Sequence, residues 1–391
     1  GGNFMSDGLG TSFSSELILE ENPFLSEAEI DDIMYQFMGV ERYIKMTTLP
    51  YDVIHHIDMH MKLLDEETIL MGQYPPNTAD GPQIEANLQY VLSNFNSSFG
   101  TPYEVVRIPM PPDNGQYPNV GWADYRTYTN SVIVNKTILM PAYEASFDQV
   151  AIDIYETHKP GYKVIPIDCN QIIESLGALH CITKEVGVDD PLWIVHQHLK
   201  DVQDVADDFA VDATIKHRDG IAGATLYYTT DTTQAYQSVP MTLTNADEDT
   251  WTGFIPNPAE DAEIFYYIEG EANNGKMQIR PMTAPAGYWN FWATFTNVSY
   301  DDIPEPETAL QAIYPNPASA ITAIPVTANS RVEAQIELLD VLGRSVRTIF
   351  SGTLDEGEQN FFIDAREFPA GSYIVQMRNG NQIHNQKLII R

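Results

Sequence analysis

Cysteine is scarce in this chain, whose 391 residues include only Cys169 and Cys181. Two cysteines cannot form the disulfide framework that stabilises small secreted scaffolds. A bridge between them would need Cα atoms within about 7 Å of each other and would remove both thiols from chemistry. We therefore expect both cysteines to be free. Cys169 ends the strand-like run of residues 164–169, which we expect to be buried, so this thiol is assigned to the core.

Positively charged residues are also scarce. The chain has 21 Lys and Arg residues but 55 Asp and Glu residues, so its formal net charge is −34. That charge opposes binding to nucleic acid and to anionic membrane surfaces. The acidic residues occur in all regions of the chain, as on a soluble secreted surface, and their field would attract cationic ligands. No apolar run approaches the roughly 20 residues of a membrane-spanning helix, so no membrane span is expected.

Two short segments about 120 residues apart carry the strongest chemical signal. His56-Ile57-Asp58 places an imidazole and a carboxylate two residues apart in an extended, β-branched run, which predicts that both project from one strand face. Cys181 follows Gly177-Ala178, where a tight turn would expose its sulfur. A cysteine, a histidine and a carboxylate brought together by folding are the minimum set for thiolate catalysis. The alternative is a hydrogen-bonded core pair of the histidine and the carboxylate.

Four blocks follow one another in the first 190 residues: Gly1-Gly2-Asn3-Phe4-Met5-Ser6-Asp7-Gly8, His56-Ile57-Asp58, Tyr128-Thr129-Asn130 and Leu179-His180-Cys181-Ile182-Thr183. In order and approximate spacing they resemble the agmatine deiminase and bacterial peptidylarginine deiminase family. The resemblance implies an α/β fold, a five-module propeller of ββαβ repeats. The first block lies inside that family's catalytic domain, so we expect that the start of the domain, with a second acidic guanidine ligand, precedes Gly1. Without it the propeller would be open, and residues 1–391 alone would have little or no activity.

The resemblance also implies roles for single residues. Cys181 would attack the guanidine carbon as a thiolate, His56 would protonate the departing nitrogen and later activate water, and Asp58 would bind two guanidinium N–H groups. Asn130 matches a substrate contact of the family; the alternative is a turn amide that caps Asn135. No metal and no cofactor is called for.

Four further histidines are expected to be structural. His55 would orient the strand that carries His56. His180 neighbours the nucleophile, but adjacent side chains on a strand face opposite ways, which favours a structural role. His196 and His198 have a spacing compatible with a metal ion, yet no cluster of carboxylates or thiols lies near them in sequence, so we assign them to linker surface.

Helix and strand patterns divide the chain. Residues 26–34 and 146–155 are predicted helices, and residues 68–72 and 131–134 are predicted strands. Residues 1–200 would form the deiminase domain. Residues 206–298, where short alternating strands recur between turns, would form an immunoglobulin-like β-sandwich. Residues 299–311 would be an acidic, proline-bearing linker.

The last segment, residues 312–391, begins with Tyr314-Pro315-Asn316-Pro317 and continues as strands separated by turns, with Gly343 suited to a positive φ. It resembles the C-terminal sorting domain of the type IX secretion system, itself a small all-β sandwich. The resemblance implies the secretion machinery as a partner and a secreted or cell-surface location in a Gram-negative, Bacteroidetes-type bacterium. The alternative is an ordinary third sandwich domain.

The sequence indicates the family more strongly than it indicates the substrate. Enzymes for free agmatine usually carry Gly-Gly-Gly-Asn-Ile-His-Cys at the nucleophile, whereas residues 175–181 here are SLGALHC. They also usually have glycine where this chain has His55. Both differences favour an arginine-containing peptide over agmatine as substrate. A third possibility is a catalytically inactive surface adhesin, against which the joint presence of Cys181, His56 and Asp58 argues.

Overall fold

The computed structural model describes residues 1–119, 122–203, 208–258, 260–294, 308–341, 343–380 and 382–391. Contacts divide the chain into two compact units, residues 1–296 and 297–391. The described chain is mostly β-structure with few helices. None of its described helices has the length and apolar character needed to cross a membrane.

Residues 1–168 contain three small sheets of one type. In each, the first two strands pair antiparallel and the second and third pair parallel. Parallel neighbours need a crossover connection, and a helix provides it each time. The elements are β1 Met5–Ser6, β2 Thr11–Ser15, α1 Leu17–Glu20, α2 Glu27–Met38 and β3 Arg42–Met46; β4 Met61–Leu63, β5 Thr68–Gln73, α3 Gly81–Asn94 and β6 Glu104–Pro109; β7 Val132–Val134, β8 Thr137–Ala142, α4 Ala145–His158 and β9 Lys163–Asp168.

Local sequence signals explain why these elements begin and end where they do. Ser26 and Glu29 form a capping box at the start of α2, and Gly39 ends that helix with a φ of 67°. Asn135 adopts a φ of 52° in the turn between β7 and β8. The helices and strands predicted at residues 26–34, 146–155, 68–72 and 131–134 are confirmed.

One core joins the three sheets and their helices, and its largest fully buried members include Phe13, Tyr128 and Tyr155. Cys169 is fully buried in it, as predicted, and both cysteines are free. The prediction of a buried strand before Cys169 is wrong, because the residues of β9 are exposed or half-buried. β9 pairs with β8 on one side, and no other described strand pairs with it.

The described residues between Trp193 and Thr294 form a nine-stranded, nearly closed, barrel-like sheet. β14 pairs with β13 along its first half and with β15 along its second, so one strand joins two mostly antiparallel parts. The alternating runs at residues 209–215, 224–228 and 264–268, which lie among the short strands predicted within residues 206–298, are strands in the structure. The strands are β10 Trp193–Val195, β11 Val202–Gln203, β12 Phe209–Lys216, β13 Ile221–Thr229, β14 Gln237–Asn245, β15 Thr250–Ile255, β16 Ala262–Ala272, β17 Met277–Arg280 and β18 Trp289–Thr294.

The second unit consists of a three-stranded and a four-stranded sheet around a separate core. Gly343 has the expected positive φ, 78°. Of the predicted linker, residues 299–307 lie outside the described residues and Ala309–Leu310 form a strand. The strands are β19 Ala309–Leu310, β20 Ile321–Ala328, β21 Val332–Leu339, β22 Ser345–Leu354, β23 Gly357–Asp364, β24 Gly371–Asn379 and β25 Gln382–Ile390.

Candidate active site

Cys181, His56 and Asp58 meet at one place in the first unit. A ring nitrogen of His56, a carboxylate oxygen of Asp58 and the Cys181 sulfur all lie within 4.8 Å of one another. Asp58 is fully buried, whereas His56 and Cys181 are partly exposed. The first two residues lie in the connection between β3 and β4, and Cys181 follows β9. Folding therefore brings together the three groups that the sequence singled out.

The His56 segment is not a strand, so the prediction that His56 and Asp58 share a strand face is wrong. His55 has a φ of 55°, in the left-handed region that a non-glycine residue rarely adopts. His56 is extended, and Ile57–Met59 then form a single 3₁₀ turn. A strained backbone of this kind persists only where surrounding contacts hold it.

The first residues of the chain provide those contacts. The Asn3 side-chain oxygen accepts hydrogen bonds from the backbone N–H groups of Ser15, at 2.9 Å, and Ile57, at 3.3 Å. The Gly2 carbonyl accepts from the backbone N–H of Asp58 at 3.1 Å. The Ser15 hydroxyl donates to the carbonyl of His55 at 2.6 Å. Residues 2–3 and the end of β2 thereby hold the turn that presents His56 and Asp58.

A second set of contacts involves the residues just before this turn, Tyr51 to Ile54. Asp52 is almost completely buried, and its carboxylate accepts from the backbone N–H of Ile54 at 3.3 Å. The neighbouring Asp80 accepts from the backbone N–H of Tyr51 at 2.9 Å. Burial, reinforced by the charge of Asp80, raises the pKa of Asp52 to about 7. The segment that leads into the turn therefore contains a buried carboxyl group that is partly protonated near neutral pH.

Cys181 lies in a 3₁₀ turn, His180–Ile182, rather than on a strand. Its sulfur accepts from the side-chain amide of Asn130 at 3.1 Å and lies 3.5 Å from the Asp58 carboxylate. Burial raises the pKa of the Cys181 thiol, and the negative charge of Asp58 raises it further, while the Asn130 amide opposes both. The resting sulfur is therefore a thiol at neutral pH.

Asn130 is fully buried. Its amide nitrogen donates to the Cys181 sulfur, and its oxygen accepts from the backbone N–H of His180 at 2.9 Å. The amide therefore contacts the candidate nucleophile and does not cap Asn135. Sequence alone identified the residue but not the group that it contacts.

His180 is the residue that sequence reasoning missed. Its Nδ1 lies 2.7 Å from Oδ2 of Asp58. The expectation that it faces away from the site is wrong because it assumed strand alternation. In a 3₁₀ turn, successive residues differ by about 120° and not by 180°, so two neighbours can border one cleft. No local signal distinguishes this turn from a strand in the sequence.

The charges of the cluster suit a cationic ligand. Burial lowers the pKa of His56, although the nearby Asp58 carboxylate opposes that shift, so the imidazole is neutral at neutral pH. Oδ1 of Asp58 is buried and has no hydrogen-bond partner among the described residues. A buried carboxylate oxygen of this kind is costly unless a ligand pairs with it. The imidazole, carboxylate and thiol are also ligand types of Zn²⁺.

The prediction of linker surface is wrong for His196, whereas His198 is partly exposed in an irregular segment. His196 is buried, and its two ring nitrogens lie 2.6 Å from the carbonyl of Asp212 and 2.8 Å from the hydroxyl of Tyr266. Nδ1 of His198 lies 3.7 Å from the Glu67 carboxylate. His196 thus completes a hydrogen-bond network in the nine-stranded sheet.

Comparisons with known proteins agree with both resemblances. Residues 1–186 match the family model of the Porphyromonas-type peptidyl-arginine deiminase. Residues 312–391 match that of the secretion system C-terminal sorting domain. The first segment therefore has its relatives among the guanidino-group deiminases. The sorting domain points to secretion or the cell surface in Bacteroidetes-type bacteria.

Curated relatives bear the name "Putative agmatine deiminase". One from Vibrio parahaemolyticus is 25% identical over 208 residues, which are 48% of this chain and 57% of the relative. One from Legionella pneumophila is 29% identical over 195 residues, which are 47% of this chain and 54% of the relative. The chain thus spans about half the length of the curated relatives it matches.

Solved structures give similar matches. A "Putative Arginine Deiminase from Porphyromonas gingivalis" is 29% identical, with a TM-score of 0.42 and coverage of 46% of this chain and 54% of that one. The agmatine deiminase of Enterococcus faecalis is 21% identical, with a TM-score of 0.43 and coverage of 47% and 56%.

Proposed function

We propose, because residues 1–186 match the family model of the Porphyromonas-type peptidyl-arginine deiminase, that the full-length protein hydrolyses the guanidinium of peptidylarginine to peptidylcitrulline and ammonia. The observation that carries this proposal is the meeting of Cys181, His56 and Asp58 within 4.8 Å, where a buried oxygen of the Asp58 carboxylate has no partner among the described residues. A guanidinium plane is the cation that a carboxylate binds best, through two parallel N–H···O bonds.

Binding of the cation would also activate the thiol. The charge of Asp58 contributes to the raised pKa of Cys181. A guanidinium that pairs with Asp58 offsets this charge and adds a positive charge beside the sulfur, so the pKa falls and the thiolate forms next to its target. The proton passes to His56, which is neutral in the resting site and free to accept it.

The chemistry then has two halves. The thiolate forms a bond to the guanidinium carbon, and His56 returns its proton to one terminal nitrogen, which leaves as ammonia when its C–N bond breaks. The product of this first half is a thiouronium, in which the Cys181 sulfur is bonded to the former guanidinium carbon. Water attacks that carbon while His56 accepts its proton; the C–S bond breaks, and the ureido product and the Cys181 thiol are released. Acid–base assistance of this kind contributes on the order of 10²–10⁴ in rate.

The preference for peptidylarginine rests on two positions next to the site. The chain from Ser175 to Ala178 replaces a glycine-rich run, and Leu176 within it has a φ of 69°, so this stretch keeps a glycine-like backbone with a bulkier side chain. His55 replaces a glycine and also adopts a positive φ. Both positions thus differ from the agmatine enzymes next to the residues that carry the reaction, His56 and Cys181.

The test of substrate class is a comparison of kcat/KM for a peptide ending in arginine with kcat/KM for agmatine, using full-length protein. A site that also binds the peptide's carboxylate should favour the peptide by roughly 10² or more, because agmatine leaves the carboxylate-binding groups unpaired. A preference of that size for agmatine contradicts the peptide proposal and favours an agmatine deiminase that forms N-carbamoylputrescine. Turnover of neither compound, with the fold intact, favours the inactive adhesin.

The remaining parts of the chain fit a secreted enzyme of this kind. We propose that the three ββαβ units belong to a five-module propeller in a deiminase domain of residues 1–200. Residues 206–298 would be an immunoglobulin-like domain, and residues 312–391 would engage the type IX secretion machinery. The match of residues 312–391 to the sorting-domain model supports the last assignment.

A further inference from the structure

We propose that His180 is a positioning residue of this site, which holds the Asp58 carboxylate in the plane that a guanidinium needs by donating from Nδ1 to Oδ2. The inference rests on the proposed function and deepens it. It concerns the side chain next to the nucleophile, for which the sequence predicted no part in the chemistry.

The geometry ties His180 to both partners of the thiol. Nδ1 of His180 lies 2.7 Å from Oδ2 of Asp58, a length typical of a charge-assisted hydrogen bond. The backbone N–H of His180 donates to the side-chain oxygen of Asn130 at 2.9 Å. Since the Asn130 oxygen is engaged there, its amide nitrogen is directed at the Cys181 sulfur. One residue therefore orients the carboxylate through its side chain and the amide through its backbone.

Asp58 needs such a contact because nothing else fixes its carboxylate strongly. Rotation about the terminal bond of an aspartate side chain is broad, so the plane of the carboxylate is set by its neighbours. Among the described residues, the other group within hydrogen-bond range of Oδ2 is the Cys181 thiol, at 3.5 Å, and Oδ1 has no partner. Without the imidazole, the carboxylate is free to turn toward the thiol and away from the incoming cation.

The tautomer of His180 follows from the same contact. Oδ2 of an ionised carboxylate can only accept, so Nδ1 of His180 must carry the proton. In the neutral form of the ring, this bond fixes Asp58 and leaves its full negative charge for the substrate. The His180 side chain is 17% exposed, so the ring is partly accessible from solvent.

A pair of amide substitutions distinguishes the hydrogen bond that His180 donates to Asp58 from the space that its side chain fills. In His180→Asn the amide nitrogen can occupy the position of Nδ1 and donate to Asp58, whereas in His180→Gln it occupies the position of Nε2 and leaves Oδ2 without its donor. His180→Ala removes the donor altogether. Asparagine is therefore the conservative variant that should rescue the function, and glutamine is the matched control of similar polarity.

The measurement is the rate at which Cys181 in full-length protein is alkylated by two reagents of equal shape. 2-Chloroacetamidine is a planar cation that needs Asp58, and chloroacetamide is its neutral counterpart. Dividing the first rate by the second cancels any general change in thiol reactivity or in fold. We expect His180→Gln and His180→Ala to lower this ratio by on the order of 10-fold, and His180→Asn to stay within about threefold of wild type. KM for the arginine substrate should rise in the same order.

Equal ratios in all four proteins would overturn the role of His180, and so would a loss in His180→Asn as large as that in His180→Gln. These outcomes differ from failure of the proposed function. In that case the wild-type protein itself would alkylate no faster with the cation than with the neutral reagent and would not turn over arginine compounds. If one variant does not fold, the other donor-less variant still gives the comparison with His180→Asn.

Discussion

Replacing Cys181 by alanine is expected to lower kcat of the full-length protein for its guanidine substrate by at least about 10⁴, because the covalent path then has no nucleophile. The other cysteine, Cys169, is fully buried in the core and cannot take over. The loss should appear as absent ureido product over the time course of a normal assay, with an unchanged circular dichroism spectrum.

Cys169→Ala is the matched control. It removes the same group from the chain at a site without access to substrate, so kcat should stay within about threefold of wild type. The cavity left in the core should instead lower the melting temperature. Comparable activity in Cys181→Ala and wild type would exclude the covalent mechanism, whatever the control shows.

The second large effect is expected at Gly2, a position with no chemistry of its own. A Cβ atom there would lie 2.7 Å from Oδ2 of Asp58, 2.7 Å from Nδ1 of His56 and 2.9 Å from Oδ1 of Asp58. The Gly2 backbone cannot simply retreat, because its carbonyl accepts the backbone N–H of Asp58. Gly2→Ala should therefore displace both catalytic side chains and lower kcat/KM by on the order of 10².

Gly1→Ala adds the same methyl group one residue earlier. A Cβ atom at Gly1 meets nothing within 4 Å among the described residues. We expect kcat/KM of this variant within about threefold of wild type. Gly2→Ala with at least half of the wild-type kcat/KM would show that the close approach of residue 2 to Asp58 and His56 does not matter for catalysis.

Helix and strand positions with local causes could be predicted from the sequence. The helix after Ser26 follows from a capping box within four residues, and the hairpin at Asn135 follows from a turn residue between two apolar runs. The order of the motif blocks was enough to predict that Cys181, His56 and Asp58 belong to one site. These signals lie within a few residues or within a family pattern.

The sequence-based predictions that the structure contradicts failed for a different physical reason. The turn at His55 is held by Asn3 and Ser15, which are 40 or more residues away, so the apolar run around it looked like a strand. The position of His180 depends on whether the nucleophile lies in a 3₁₀ turn or on a strand, which short sequences do not distinguish.

His196, which lies outside the candidate active site, is another residue whose environment could not be predicted from the sequence around it. Its partner Tyr266 is 70 residues further along the chain, in a strand of the nine-stranded sheet, and nothing near His196 in sequence announces that contact. Long-range hydrogen bonds of this kind determine which polar residues are buried, and they cannot be inferred from local composition.

The most direct test of the account is to stop the reaction with acid during turnover and measure the mass of the peptide that contains Cys181. A thiouronium intermediate predicts that this peptide gains the mass of the substrate less one ammonia, and that the adduct disappears when the substrate is exhausted. The Cys169 peptide should stay unmodified. An unmodified Cys181 peptide throughout turnover, under quench conditions in which a synthetic thiouronium survives, would contradict covalent deimination at this site.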